Sequence, residues 1–181
     1  MQDLTEKTLS VSRVFDGRLV HLEVQEVLLP DGRKGRREII RHCAAVAILA
    51  RRPDGKFIFV RQFRKPIETV LLEVIAGCVE EGEDPADCAR REVAEETGYE
   101  VTVLKKLTTI TTSPGCFDEV LHIYYAELTE KAHEQHLDQD ENVFALEMTA
   151  EEIRKAILDG TIWDAKTICA WAYYEMMQKE A

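Results

Sequence analysis

The chain has 181 residues, with 34 Asp and Glu against 23 Lys and Arg, and a formal net charge of -11. That length suits one domain with room for a small appendage and a core that closes without staples. Such acidity argues against a nucleic-acid or anionic-membrane binder, and it requires any anionic substrate to be met by local positive charge. The five cysteines, Cys43, Cys78, Cys88, Cys116 and Cys169, are odd in number, scattered and without a C-x-x-C pair. Inert thiols are therefore expected, not a disulfide frame or a zinc site. No apolar run reaches the ~18 residues of a membrane span, and the opening Met1-Gln2-Asp3-Leu4 does not read as a signal peptide. A reduced, cytoplasmic protein is the expectation.

From the N-terminus, residues 8–29 read as β-structure. Asp16-Gly17 is a hairpin signal, and Val20, Leu22 and Val24 then alternate with polar residues as in a half-buried strand. The alternation slips at Val27-Leu28-Leu29, which predicts a bulge there. Pro30-Asp31-Gly32 turns the chain into a basic run, Arg33, Lys34, Arg36 and Arg37. That run is either a solvated hairpin tip or a place where one arginine reaches a phosphate with its planar, two-pronged donor.

Cys43 to Leu49 is short and almost wholly apolar, as a central strand is. Pro53-Asp54-Gly55 turns the chain into the strand Phe57-Ile58-Phe59-Val60, which runs on into Arg61-Gln62-Phe63-Arg64. Residues 71–76 form one more strand. Glu73 lies within it, and a lone buried carboxylate is costly, so Glu73 should face a partner, a metal shell or a ligand.

Asp84-Pro85 is a helix start, since Asp caps free N–H groups and Pro fits the first helical position. Gly98 is the matching stop, so residues 85–97 are predicted to be helical. Ala86, Ala89 and Val93 make an apolar stripe, and Glu92, Glu95 and Glu96 fall in the adjoining sector. Arg91 precedes Glu95 by one turn and can pair with it, while Glu92 and Glu96 are like charges one turn apart. A hard divalent cation such as Mg2+ would remove that conflict, because it takes carboxylate oxygens, waters and phosphates.

Beyond Gly98, residues 101–104 and 107–112 are β-branched and strand-like. Ser113-Pro114-Gly115 turns the chain, and Cys116, Phe117, Asp118 and Glu119 complete that loop. Residues 120–128 are a strand in which His122 is read as structural. Residues 130–142 form an acidic loop, and 143–146 a further strand. Thr149-Ala150-Glu151-Glu152 is a capping box, with a helix to about Asp159 that Gly160 ends. A last helix spans about 164–179, with Trp171, Tyr174 and Met177 as a core or dimer stripe.

Gly77, Glu83, Arg91-Glu92, Val93, Glu95-Glu96 and Gly98, at their spacing, resemble the signature of the Nudix hydrolases, with Tyr99 where an aliphatic residue is commoner. Arg61-Gln62-Phe63-Arg64, Glu73 and Pro114 resemble segments of the ADP-ribose pyrophosphatases in that family. The resemblance covers residues 36–148 well and the ends loosely. It implies an α/β (α+β) fold: an α/β/α sandwich around a mixed sheet, residues 41–181, preceded by a small antiparallel β-sheet, residues 1–40. It further implies Mg2+-dependent cleavage (Mn2+ substituting) of a nucleoside diphosphate sugar, foremost ADP-ribose to AMP and ribose 5-phosphate. GDP-mannose or a dinucleotide is the alternative substrate, and an ADP-ribose sensor without catalysis is the alternative of another class. By position, Glu92, Glu95, Glu96 and the Ala76 carbonyl would hold metal, and Arg91 with Glu83 would tie loop to helix. Arg64 and Arg37 would meet phosphate, and Glu73, Pro114, Gly115 and Phe117 would line the pocket. Glu141, or else Asp138 or Asp140, would serve as the base beside Glu92 and Glu95. The N-terminal sheet would build a homodimer and lend residues to the partner's pocket.

Overall fold

The computed structural model describes residues 3–135 and 142–180. The chain divides into two units, Met1–Ala44 with Thr111–Val120, and Ala45–Ile110 with Leu121–Ala181.

The first unit is a three-stranded antiparallel sheet of β1 (Lys7–Asp16), β2 (His21–Leu28) and β3 (Lys34–Arg41). The β2–β3 pairing runs without interruption from His21↔Arg41 to Leu28↔Lys34. The register slips lie in β1, between Thr8 and Ser10 and between Arg13 and Phe15. This corrects the bulge expected at Val27–Leu29. The extra residues go into the outer strand, which has a partner on one side only and loses least by bulging. Phe15, Leu22 and Ile40 share one face by register. The opposite face is an ion lattice in which Arg41 Nε donates to Glu23 at 3.1 Å and Arg13 approaches the same carboxylate. The segment Thr111–Val120 is stitched to β3: Ile40 N–H donates to the Cys116 carbonyl at 2.7 Å, and Arg41 Nη1 donates to Asp118 at 2.9 Å.

The second unit is organised on β4 (Ala45–Arg51). Its alternate side chains enter two different cores. Ala45, Ala47 and Leu49 pack with Phe57, Tyr125, Ile153, Trp171 and Tyr174, while Val46, Ile48 and Ala50 pack with Cys88, Ala89, Val93 and Tyr124. That is the period-two geometry of a strand buried on both faces. Each large apolar side chain buried this way contributes about 1.5–3 kcal/mol.

Around β4 stand β5 (Phe57–Arg64), β6 (Thr69–Glu73), β7 (Ile75–Cys78), β8 (Val101–Thr111), β9 (Val120–Leu128) and β10 (Val143–Met148). The order is β10-β5-β4-β9-β8, with β6 on β5 and β7 on β4, and β4–β9 is parallel. Helix α1 (Pro85–Thr97) supplies one core; α2 (Ala150–Leu158) and α3 (Ala165–Glu180) supply the other. The mixed α/β sandwich and the small antiparallel sheet are both present. Trp171 and Tyr174 of the aromatic stripe are core, set against Phe57 at 5.3 and 5.2 Å.

Two strand expectations change. Residues 71–76 are not one strand: β6 pairs with β5, the chain breaks at Val74, and β7 pairs with β4. Side-chain alternation carries no information about such a change of partner. Conversely, 101–104 and 107–111 are continuous in β8, with Thr112 just past its end, because Lys105-Lys106 sit exposed on the end strand, where charge is tolerated.

Candidate active site

Helix α1 forms as its ends dictate. The Asp84 carboxylate accepts from Ala86 N–H at 2.8 Å, Pro85 takes the first turn, and Gly98 closes the helix at φ 72°. A Cβ at Gly98 would also run into the His133 carbonyl. With Ala89 and Val93 driven into the core, the helix rotation is set, and Glu92 and Glu96 are carried below the surface at 7% and 2% exposure. Two carboxylates one turn apart and out of water repel more strongly than an exposed pair.

Arg91 closes the acidic ridge on the preceding loop. Its Nε and Nη2 donate to Glu83 at 2.9 and 3.0 Å, and Nη1 donates to Glu92 at 2.7 Å and Glu95 at 2.9 Å. Nη2 also reaches the Cys78 carbonyl at 3.2 Å. This guanidinium holds the Glu83 pKa down to about 2, and Glu83 in turn raises that of Arg91. Burial pushes the Cys88 thiol up to about 12, so it stands as an inert core group.

Gly77 has a steric reason to be glycine: a Cβ there would overlap the Glu92 carboxyl. Glu92 thus lies against the β7 backbone one residue from Ala76. Buried carboxylates of like charge, beside a backbone opened for them by a glycine, are a donor set suited to a hard divalent cation.

Glu73 is fully buried, at 0% exposure. Arg64 clamps it with Nε and Nη2 at 2.7 and 2.9 Å, and the Lys166 ammonium closes on the same carboxylate. Burial works against the Arg64 charge, yet Glu73, Asp164 and Glu96 keep its pKa above the ordinary value. Thr167 accepts from Val74 N–H at 3.0 Å and donates to Asp164 at 2.6 Å, which anchors α3 where β6 gives way to β7. Lys166, Asp164 and Thr167 escaped the sequence reading as site residues. A signal was present: Lys166 is a cation in the first turn of a helix, where the macrodipole disfavours one.

Four of the remaining candidates, Arg37, Pro114, Gly115 and Phe117, lie in the other unit. Arg37 is paired with Glu6, its Nε donating at 3.0 Å. Pro114 and Gly115 form the turn in which Phe117 N–H donates to the Ser113 carbonyl at 2.9 Å, and Phe117 packs on His42 at 5.4 Å. Glu141, Asp138 and Asp140 lie outside the described residues.

The family model described as NUDIX domain matches residues 40–171. The ADP-ribose pyrophosphatase of Bacillus subtilis (strain 168) is 42% identical over 179 residues, 98% of this chain and 97% of that protein. The methanol dehydrogenase activator of Bacillus methanolicus is 42% identical over 174 residues, 96% of this chain and 94% of that one. A GDP-mannose pyrophosphatase of Yersinia enterocolitica is 34% identical over 140 residues, 73% of each chain. The crystal structure of an ADP compounds hydrolase superposes with a TM-score of 0.84 over 99% of this chain and 98% of that one; at 21% identity it speaks for the fold.

Proposed function

We propose a reaction from one premise: this chain belongs to the NUDIX domain family, and it is a pyrophosphohydrolase of that family. The substrate we assign is ADP-ribose, hydrolysed at its diphosphate to AMP and ribose 5-phosphate. Water adds to one phosphorus, the bridging P–O bond breaks, and the protons leave to solvent. The observation that supports this reading is the pair of buried carboxylates, Glu92 and Glu96, with Glu92 seated against Gly77.

The family works with a divalent cation, and we assign Mg2+, with Mn2+ as a substitute. Glu92, Glu95, Glu96 and the Ala76 carbonyl would hold it. When bound, it polarises phosphoryl oxygens and makes a nearby water more acidic. Arg91 keeps the ridge in place through its bonds to Glu83, Glu92 and Glu95. Arg64 offers Nη1, which has no hydrogen bond to the described residues, to the diphosphate. Arg37, Pro114, Gly115 and Phe117 are assigned to the substrate pocket, Glu73 to the same pocket as the anchor behind Arg64, and Glu141 to the base that takes the water's proton.

We further assign a homodimer. The sheet of residues 1–40 leaves Val11, Val14 and Phe15 exposed, Phe15 at 58%, and pairing with a second copy would take such side chains out of water. Cytoplasmic residence is assigned from the cysteine usage. No described helix is long and apolar enough to cross a membrane.

The test is product analysis with ADP-ribose, GDP-mannose and a diadenosine polyphosphate, with and without Mg2+. Mg2+-dependent AMP release from ADP-ribose is expected and excludes a non-catalytic sensor. GDP-mannose is the second reading, favoured by the relatives of that name. Preferential GMP release would establish it in place of the first.

A further inference from the structure

Four charges meet where α3 starts on the sheet. Glu73 is the buried anion at the centre. Arg64 takes one hydrogen bond to each of its oxygens, and Lys166 closes on Oε2. Lys166 also lies 3.1 Å from Asp164 Oδ1, and the other Asp164 oxygen accepts from Thr167 N–H and Oγ1–H. Two anions and two cations balance in a place where an unbalanced charge is costly. Lys166 and Asp164 are mostly covered, whereas the Arg64 side chain keeps 35% exposure.

Helix physics does not account for Lys166. A cation in the first turn opposes the macrodipole, and Asp164 already caps that turn. The position makes sense through Glu73. Each carboxylate oxygen has two acceptor sites. With Arg64 as sole partner, each oxygen of Glu73 would hold a single hydrogen bond, and the guanidinium would be free to shift along the carboxylate. Lys166 adds a second bond to Oε2, which leaves the Arg64 fork pinned by Nε and Nη2 and its Nη1 without a hydrogen bond to the described residues.

We infer that Lys166 is a positioning residue: by sharing Glu73 with Arg64, it holds the guanidinium so that Nη1 presents to a diphosphate. This rests on the proposed role of Arg64, and Lys166 itself need touch no substrate.

The test compares Lys166→Met and Lys166→Arg with the wild type, by steady-state kinetics on ADP-ribose and by calorimetric titration of pyrophosphate in Mg2+ buffer. Lys166→Met should raise KM and weaken pyrophosphate binding about tenfold, with kcat within about twofold, as for a contact made equally in ground and transition states. Lys166→Arg should restore both to within about threefold. Adding Arg64→Met to Lys166→Met should cost less than the two single losses together, because the two residues act as one unit. If Lys166→Met does not fold, Lys166→Ala, which leaves room for water beside Glu73, carries the same expectation. Wild-type KM and pyrophosphate affinity in the folded variant, whatever its melting temperature, would overturn the inference. A wild type that hydrolyses none of the diphosphates would instead sink the proposed reaction, and pyrophosphate affinity alone would then judge Lys166.

Discussion

The two units of this chain solve opposite problems. The unit around β4 closes on itself: its central strand is buried on both faces, and its charged groups are clamped, Glu83 by Arg91 and Glu73 by Arg64 and Lys166. The N-terminal unit does not close. All of β1 is exposed, apolar side chains included, and one face of the sheet carries an ion lattice where a core would be. The residues assigned to metal and catalysis in the described structure belong to the closed unit. Arg37, Pro114, Gly115 and Phe117, assigned to the substrate, belong to the open one. Chemistry needs groups held within fractions of an ångström, and only a packed unit provides that. An open sheet is free to be completed by something else.

The sharpest way to break this contrast is Glu96→Gln. We expect kcat to fall about a thousandfold, the scale of losing a preorganised electrostatic group. The cation-free melting temperature should stay near that of the wild type, since the Glu92–Glu96 repulsion goes together with the attraction Glu96 exerts on Arg64. Calorimetry and a turnover assay check both halves, and activity within a few-fold of wild type would end the metal assignment.

Arg91→Met comes next. It leaves Glu83, Glu92 and Glu95 without their shared cation, at a cost of about 3 kcal/mol, as for a broken, partly buried ion pair. Urea unfolding measures it, and a loss below about 1 kcal/mol would mean the loop–helix tie is dispensable.

The acid limb of stability follows from Glu83. Its pKa falls from an ordinary 4.5 to about 2 in the folded state, through Arg91. A depressed carboxylate stabilises above its unfolded pKa, and that contribution disappears as pH drops through the folded one. The wild-type melting temperature should therefore decline between pH 4.5 and 2 more steeply than that of Glu83→Gln. Parallel curves would contradict the pairing.

The smallest effect on stability belongs to the open unit. Phe15→Ser should change the unfolding free energy by no more than about 0.5 kcal/mol in dilute protein, yet shift sedimentation from dimer towards monomer. An unchanged sedimentation coefficient would remove the homodimer from the reading.

Helix α1 was legible to the residue because its signals are local: a capping Asp, a first-turn Pro, a stop Gly and an apolar stripe. The capping box of α2 was legible for the same reason, with both reciprocal bonds present at Thr149 and Glu152. The carboxylate ridge followed from the helix period. The position of the bulges in β1 and the break at Val74 did not, because each depends on which strand lies alongside.

By itself, then, the order of residues determined the helix ends, the acidic ridge, the buried character of β4 and the requirement that Glu73 find a partner. Tertiary structure alone decided who that partner would be. Lys166 reaches Glu73 across 93 positions of sequence, and the segment Thr111–Val120 joins the N-terminal sheet through bonds to Ile40 and Arg41. Capping and periodicity act over a few residues, so they can be read along the chain. A buried charge is compensated by whatever the fold brings beside it, and that proximity exists only once the chain has closed.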